Sequence, residues 1–419
     1  MKTAVHDDDL KRQLGMDHDR CNGAYEMELP ERDALQTAFA RNFLEPGGAD
    51  CEVPSEAIHA ANRAVTEAGD QIRSFLASHK LAMVVPMREK GNVTRPLLDT
   101  LVGQGWLDPA DITVVNHDSD DDAVNGVRSH KGVHIPYWSD TLDTLDWERL
   151  LPILNMDERP MGFGKGLSVL SGYLHRYFLS LASGHIPEWL CQHDAEIQEY
   201  QRYRALEFLI WALIQYPDAQ YIKQAKFGRT NERCMLARCL LMVLAQSLAL
   251  NDLVRGRCAQ LFAQLVPDKW MLTGEFMLRW PYAMKRPFAS SYLEETLTAM
   301  FMTDICSQNG GSPLYVANPN PRLDAANDDG KESRMQQEIS AFVLRMALEA
   351  PSLDKWDINT IADLNHGPMA QPNIFGWIAP NDHPVVAEAL PANRLFPSVE
   401  MMVEAGLIDL ERGVELVSG

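Results

Sequence analysis

The sequence predicts an α/β fold with a mixed, mostly parallel sheet flanked by helices, and three observations carry that expectation. Leu81-Ala82-Met83-Val84-Val85-Pro86 is a continuous apolar run, the pattern of a strand buried on both faces. Residues 95–103 then read as a helix and 111–116 as a second strand, with a short turn over 123–128; strands alternating with helices imply parallel neighbours joined by crossovers. Gly162, Gly164, Lys165 and Gly166 open the helical pattern 167–181, a turn that lets backbone N–H groups approach an anion. Ligands of such sheets gather beyond the strand C-terminal ends, so the loops beginning at Met87 and His117 are the expected site walls.

Bulk composition narrows the function classes. The 419 residues suffice for one large domain or two medium ones. A net charge of -20 disfavours a nucleic-acid partner, since phosphate neutralisation by Lys and Arg dominates that affinity. The most apolar run, 239–250, is shorter than the roughly 20 residues a membrane helix needs. Asp7-Asp8-Asp9 stands where a signal peptide would be basic and then apolar, so a cytoplasmic protein is expected. Seven cysteines without a C-x-x-C pair argue for reduced thiols, with neither a zinc cage nor a disulfide frame.

Taken in order, residues 1–54 are polar and turn-rich. A charged tail explains His6, Asp7, Asp8, Asp9, Asp17, His18 and Asp19 better than a metal cluster does. Ile58, Ala61, Val65, Ile72 and Leu76 recur at helical spacing and predict one amphipathic helix over 55–79. The central stretch is Cys191-Gln192-His193-Asp194-Ala195-Glu196, in which two carboxylates one residue apart close a predicted strand. Mg²⁺ or Mn²⁺ needs only one or two such ligands and completes its shell with water and substrate phosphate, so Asp194 and Glu196 are candidate metal ligands. Lys165, beside Gly164, adds a positive charge at the helix start, although G-x-x-x-x-G-K-[ST] spacing is absent. Residues 221–227 read as a strand. Lys223, Lys226, Arg229, Arg233 and Arg238 form a basic island suited to a small anion, or to an ordinary charged helix start. Helices are expected over 234–250, from about 294 to 306 and over 332–348, and a strand over 314–317; the proline-rich tail after Ala350 ends in a helical piece at 398–405.

In this order the landmarks resemble the GT-A glycosyltransferases that make glucosyl-3-phosphoglycerate and mannosyl-3-phosphoglycerate. Val85-Pro86-Met87-Arg88-Glu89 looks like the family's first-strand motif, Asn116-His117-Asp118-Ser119 like its second, and Gly164-Lys165-Gly166 like its G-K-G loop. The resemblance implies donor binding by Pro86, Glu89, Asp118, Ser119, Gly164, Lys165 and Asp194. His193-Asp194-Ala195-Glu196 stands where the family has D-x-D, with Glu196 as the longer second ligand. Gly228-Arg229-Thr230-Asn231-Glu232 is similar to the G-R-x-[ST]-E segment, which implies acceptor binding by Lys226, Gly228, Arg229, Asn231 and Glu232. Gly274-Glu275 and Pro287-Phe288-Ala289 through Tyr292 to Glu295 match two further motifs, giving Glu275 and Glu295 catalytic positions with Lys165. Where the family has a metal-binding histidine, alignment through Asn318 and Arg322 puts Asp324. Each residue also has a plain structural reading: Asp118 as a helix cap, Gly274 as a tight turn, Glu295 as a first-turn carboxylate.

The resemblance implies a Rossmann-like GT-A core with helical extensions at both ends. Residues 1–79 would be an N-terminal arm and helix, 80–350 the transferase domain (80–200 the nucleotide-sugar half, 201–350 the acceptor half) and 351–419 a C-terminal extension. The implied function is metal-dependent, configuration-retaining transfer of a hexose from a nucleoside diphosphate to a small phosphorylated hydroxy acid, 3-phosphoglycerate first, in compatible-solute synthesis. A sugar or a modified DNA base as acceptor, and a degenerate nucleotide-sugar-binding protein, are the alternatives. Family members are often dimers, which leaves helix 234–250 as either core or homodimer interface.

Overall fold

The computed structural model describes residues 55–88, 93–160, 164–226, 274–290, 293–308, 314–318, 320, 323–324, 356–366 and 394–418. Its centre is a six-stranded sheet built from β1 (Leu81–Met87), β2 (Ile112–Asn116), β3 (Trp189–Gln192), β5 (Tyr221–Lys226), β6 (Phe276–Arg279) and β8 (Leu314–Asn318) in the order β2-β1-β3-β6-β5-β8. β1 is parallel to β2 and β3, and β5 to β8, while β6 runs antiparallel to both β3 and β5; five strands therefore point one way and β6 the other. Four short strands lie outside it, in two pairs. β4 (Ile197–Gln198) pairs with β9 (Leu323–Asp324), and β7 (Phe288–Ala289) with β10 (Leu395–Phe396).

Alternation along β1 divides the core. Leu81, Met83, Val85 and Met87 pack with Leu97, Leu98, Ile112, Val114 and the apolar side of helix Ala205–Gln215. Ala82 and Val84 face the other way, onto Leu167, Leu170, Tyr173 and Leu174 of helix Gly164–Ser183. That helix lies close because Gly172 has no side chain: a Cβ there would sit 2.4 Å from Val84 Cγ1 and 3.0 Å from Val115 Cγ2. The described tail residues Leu395, Phe396, Val399, Met402, Leu407 and Ile408 belong to this second core.

Crossovers on opposite faces make the topological switch. The chain passes from β1 to β2 by helix Arg95–Leu101 on the first face, and from β2 to β3 by helix Gly164–Ser183 on the second. The strand order reverses at β1, and ligand crevices form where this happens. β1 and β3 also part early. Their ladder ends at Val84↔Gln192, with one further bond from His193 N to Val84 O (3.1 Å), whereas β1 stays paired with β2 to Met87. Pro86 falls on the β3-facing side of β1 beyond that ladder, so its missing N–H leaves no gap in the sheet.

Three expectations need correction. The helix predicted over 55–79 is two, Ser55–Glu67 and Gly69–Ser78, divided beside Gly69, a poor helix former. Residues 123–128 are not a turn but part of helix Asp121–Arg128, started by Asp120, whose carboxylate accepts from Ala123 N at 2.9 Å. The first strand does not stop at its proline but runs on to Met87. Strand β6 and helices Trp147–Leu154 and Trp280–Lys285 are not among the predicted elements. Helices 234–250 and 332–348 lie outside the described residues.

Two buried histidines set an acid limit on the fold. His175 is 6% exposed, neither ring nitrogen has a hydrogen-bond partner, and burial lowers its pKa from 6.5 to about 3. Burial, aided by the charge of Arg88, lowers that of His117 to about 4. Both stay neutral in the folded chain while the unfolded chain takes up protons below about pH 6.5, so stability is complete above that value and lost as pH falls. Each imidazole accounts for about 3 kcal/mol by pH 4. Urea midpoints measured from pH 7 to pH 4 should fall less steeply for His175→Phe than for the unaltered protein. Equal slopes would remove His175 from this account.

Candidate active site

The candidate site lies where β1 and β3 part. Gly164 takes φ +51°, a left-handed conformation that suits glycine, and turns the chain into the helix whose second residue is Lys165. The Lys165 ammonium donates to Asp194 Oδ1 and to Glu295 Oε1, groups 29 and 130 residues away in the chain. Asp194 is two residues past β3 and 8% exposed; Glu295, in the first turn of helix Glu294–Gln308, is 4% exposed. Burial acts to lower the pKa of the lysine, but the two carboxylates outweigh it and hold that pKa above the ordinary value. Gly274 makes room: a Cβ there would lie 2.3 Å from Asp194 Oδ1. Its neighbour Glu275 is fully buried, with its carbonyl accepting from Gln224 N at 3.0 Å.

Adjacent carboxylates Glu294 and Glu295 have different tasks. Glu294 accepts from the buried Arg286 guanidinium and, at 3.0 Å, from Ala289 N, which ties down the chain through β7. Arg286 also lies 4.3 Å from the ring centroids of both Tyr173 and Phe288. Only Glu295 turns to Lys165.

A second wall comes from the ends of β1 and β2. Pro86 is buried in β1. His117 N donates to Met87 O (2.8 Å) and Ser119 Oγ to the same carbonyl (3.1 Å), while Ser119 N donates to Asn116 Oδ1 (3.0 Å). This folds the loop over the end of β1 and forces Asp118 to φ +57°, with its exposed carboxylate accepting from the Tyr137 hydroxyl. The His117 ring stacks on Trp138 at 4.6 Å, and its Nδ1 is 2.5 Å from Ser168 Oγ, one turn beyond Lys165. The loop after β2 and the helix bearing Lys165 are thereby linked. Tyr137 escapes sequence reasoning: its one signal is a place after Pro136 in an extended segment bridged to Asn116, visible only once the chain is folded.

Glu196 is half-buried after Ala195, and His193 Nδ1 lies 2.8 Å from Tyr200 OH. Pairing of β4 with β9 sets Asp324 opposite Ile197, next to Glu196 along the chain. Carboxylate oxygens are the donor chemistry Mg²⁺ or Mn²⁺ requires, and two with substrate phosphate suffice, so these residues fit such a cation. Among the described residues no three metal-ligating side chains converge, and the side chain of Asp324 is outside that description. Glu89, Gly228, Arg229, Asn231 and Glu232 also lie outside the described residues. Lys226 ends β5 with its backbone opposite Asn318, its side chain not among those described. Lys223 is fully buried, which corrects its place in a surface basic island: β5 is an interior strand between β6 and β8.

No protein-family model and no curated protein matches the chain. Among solved structures it is similar to glucosyl-3-phosphoglycerate synthase from Mycobacterium tuberculosis, a GT-A glycosyltransferase. The complex of that enzyme with Mn²⁺, UDP-glucose and glycerol 3-phosphate aligns at 15% identity and TM-score 0.47, covering 68% of this chain and 85% of the other. Its complex with Mn²⁺, UDP and phosphoglyceric acid gives 16%, 0.47, 68% and 84%, and its complex with Mg²⁺ and UDP gives 15%, 0.45, 68% and 84%. No helix among the described residues is long and apolar enough to cross a membrane.

Proposed function

We propose that the chain is a configuration-retaining glycosyltransferase that moves a hexose from a nucleoside diphosphate to the hydroxyl of a small phosphorylated acid, with 3-phosphoglycerate the first candidate. The observation that carries this reading is the meeting of Lys165, Asp194 and Glu295 at the switch point, from three motifs far apart in the chain. Departure of the diphosphate develops negative charge, and fixed positive charge placed there beforehand lowers the barrier. Lys165, at a helix start, supplies part of it. Asp194 and Glu196, with Asp324, would hold Mg²⁺ or Mn²⁺, which when bound supplies further positive charge to the diphosphate. Glu295 holds the ammonium in place, and Glu275 would orient a hydroxyl of sugar or acceptor. Pro86, Glu89, Asp118 and Ser119 would hold the nucleoside. Lys226, Gly228, Arg229, Asn231 and Glu232 would hold the acid, where the planar fork of arginine suits a phosphate or carboxylate. Attack from the face of the leaving group needs no enzyme nucleophile, and none is assigned.

The test is nucleoside diphosphate release from UDP-, GDP- and ADP-sugars with Mg²⁺ or Mn²⁺, with and without 3-phosphoglycerate. Release that requires both the metal and the acid is the expected result. Donor binding without any response to 3-phosphoglycerate would transfer the reading to another acceptor, and no donor binding would end it.

A further inference from the structure

Lys165 stands toward Asp194 as a metal ion would. Its ammonium takes Oδ1 of the carboxylate that heads the candidate metal ligands, with Glu295 as a second anionic partner. Three charges, one positive and two negative, are enclosed together: the side chains of Lys165, Asp194 and Glu295 are 22%, 11% and 5% exposed. Two carboxylates so placed need a counterion, because an unpaired ion is costly to take out of water. The chain supplies one from its own helix. A divalent cation approaching Asp194 meets an oxygen already engaged and a like charge beside it. A donor diphosphate changes the balance, since its oxygens offer the ammonium another partner, and Lys165 lies in the first helical turn, where backbone N–H groups favour the same phosphate.

We infer that Lys165 is an internal competitor of the divalent cation: with no donor bound it occupies Asp194, and it passes to the diphosphate when the donor arrives, leaving Asp194 to the metal. This rests on the glycosyltransferase reading and adds an order to it. Metal binds weakly to the chain alone and tightly only with nucleotide, so the site avoids trapping free cations. Lys165 is here a positioning residue for the metal as well as a partner of the donor.

The experiment is titration of free Mn²⁺, followed by electron paramagnetic resonance, into the unaltered protein and into Lys165→Met, each with and without UDP. Lys165→Met should bind Mn²⁺ at least tenfold more tightly than the unaltered protein when UDP is absent. Because that variant leaves two enclosed carboxylates without a counterion and could fail to fold, Lys165→Met/Glu295→Gln is measured beside it. The double variant has the same net charge as the unaltered trio, so electrostatics alone predicts no change, while release of Asp194 again predicts tighter Mn²⁺ binding. Unchanged or weaker Mn²⁺ affinity in a folded variant, with UDP-dependent Mn²⁺ binding intact in the unaltered protein, overturns this inference and spares the function. Absence of Mn²⁺ binding to the unaltered protein even with UDP overturns both.

Discussion

Replacing Asp194 with asparagine should lower kcat for nucleoside diphosphate release by about 100-fold or more while the protein stays folded, the loss typical of removing one pre-placed electrostatic group. Asparagine keeps the shape of the side chain and removes its charge, so Lys165 loses one of its two carboxylates and the candidate metal site loses its leading ligand. Gly274→Ala should act in the same direction through geometry alone, because the new methyl would lie 2.3 Å from Asp194 Oδ1 and must displace it. Turnover of Asp194→Asn equal to that of the unaltered enzyme would take the residue out of the site. Retained turnover with a lost metal requirement would instead assign the charge mainly to Lys165.

The largest effect on stability is expected at Glu294, the residue next to Glu295 in the same first helical turn. Glu294→Gln leaves the fully buried guanidinium of Arg286 without its carboxylate, and breaking one partner of such a pair costs about 3–5 kcal/mol. Glutamine still offers an oxygen to Ala289 N, so the change isolates the charge. Replacing both partners, as in Arg286→Met/Glu294→Gln, removes the stranded ion and should restore much of the loss. Chemical denaturation reads both effects. A cost below about 1 kcal/mol for Glu294→Gln would mean that the rings of Tyr173 and Phe288, with the Thr298 hydroxyl that accepts from the guanidinium at 2.7 Å, satisfy it without the carboxylate.

These two residues also mark what the sequence could convey. The strands of the first half were legible because β1, β2 and β3 are short apolar runs separated by helical periodicity, and burial on both faces leaves that trace. β6 carries the same composition, yet the antiparallel return it makes beside β3 depends on the partner it finds, which no local pattern states. Lys165, Asp194 and Glu295 were each nominated by order along the chain. Their meeting at one ammonium was not derivable, since contacts spanning 29 and 130 residues leave no spacing to read. Between Glu294 and Glu295, composition offers no choice; the helix start turns one toward Arg286 and the other toward Lys165. Tyr137 was missed because its partner, Asp118, reaches it through a left-handed turn imposed by bonds to Met87 and Asn116.

Gly172 does more than admit a helix to the sheet. It follows Lys165 by about two helical turns, so the two lie on nearly the same face. The contact of Gly172 with Val84 and Val115 therefore fixes the rotational phase at which the ammonium is presented to Asp194. Inserting or deleting one residue between them would swing Lys165 about 100° around the helix axis. A change of length within that interval should therefore carry the ammonium away from Asp194 even where the helix itself survives.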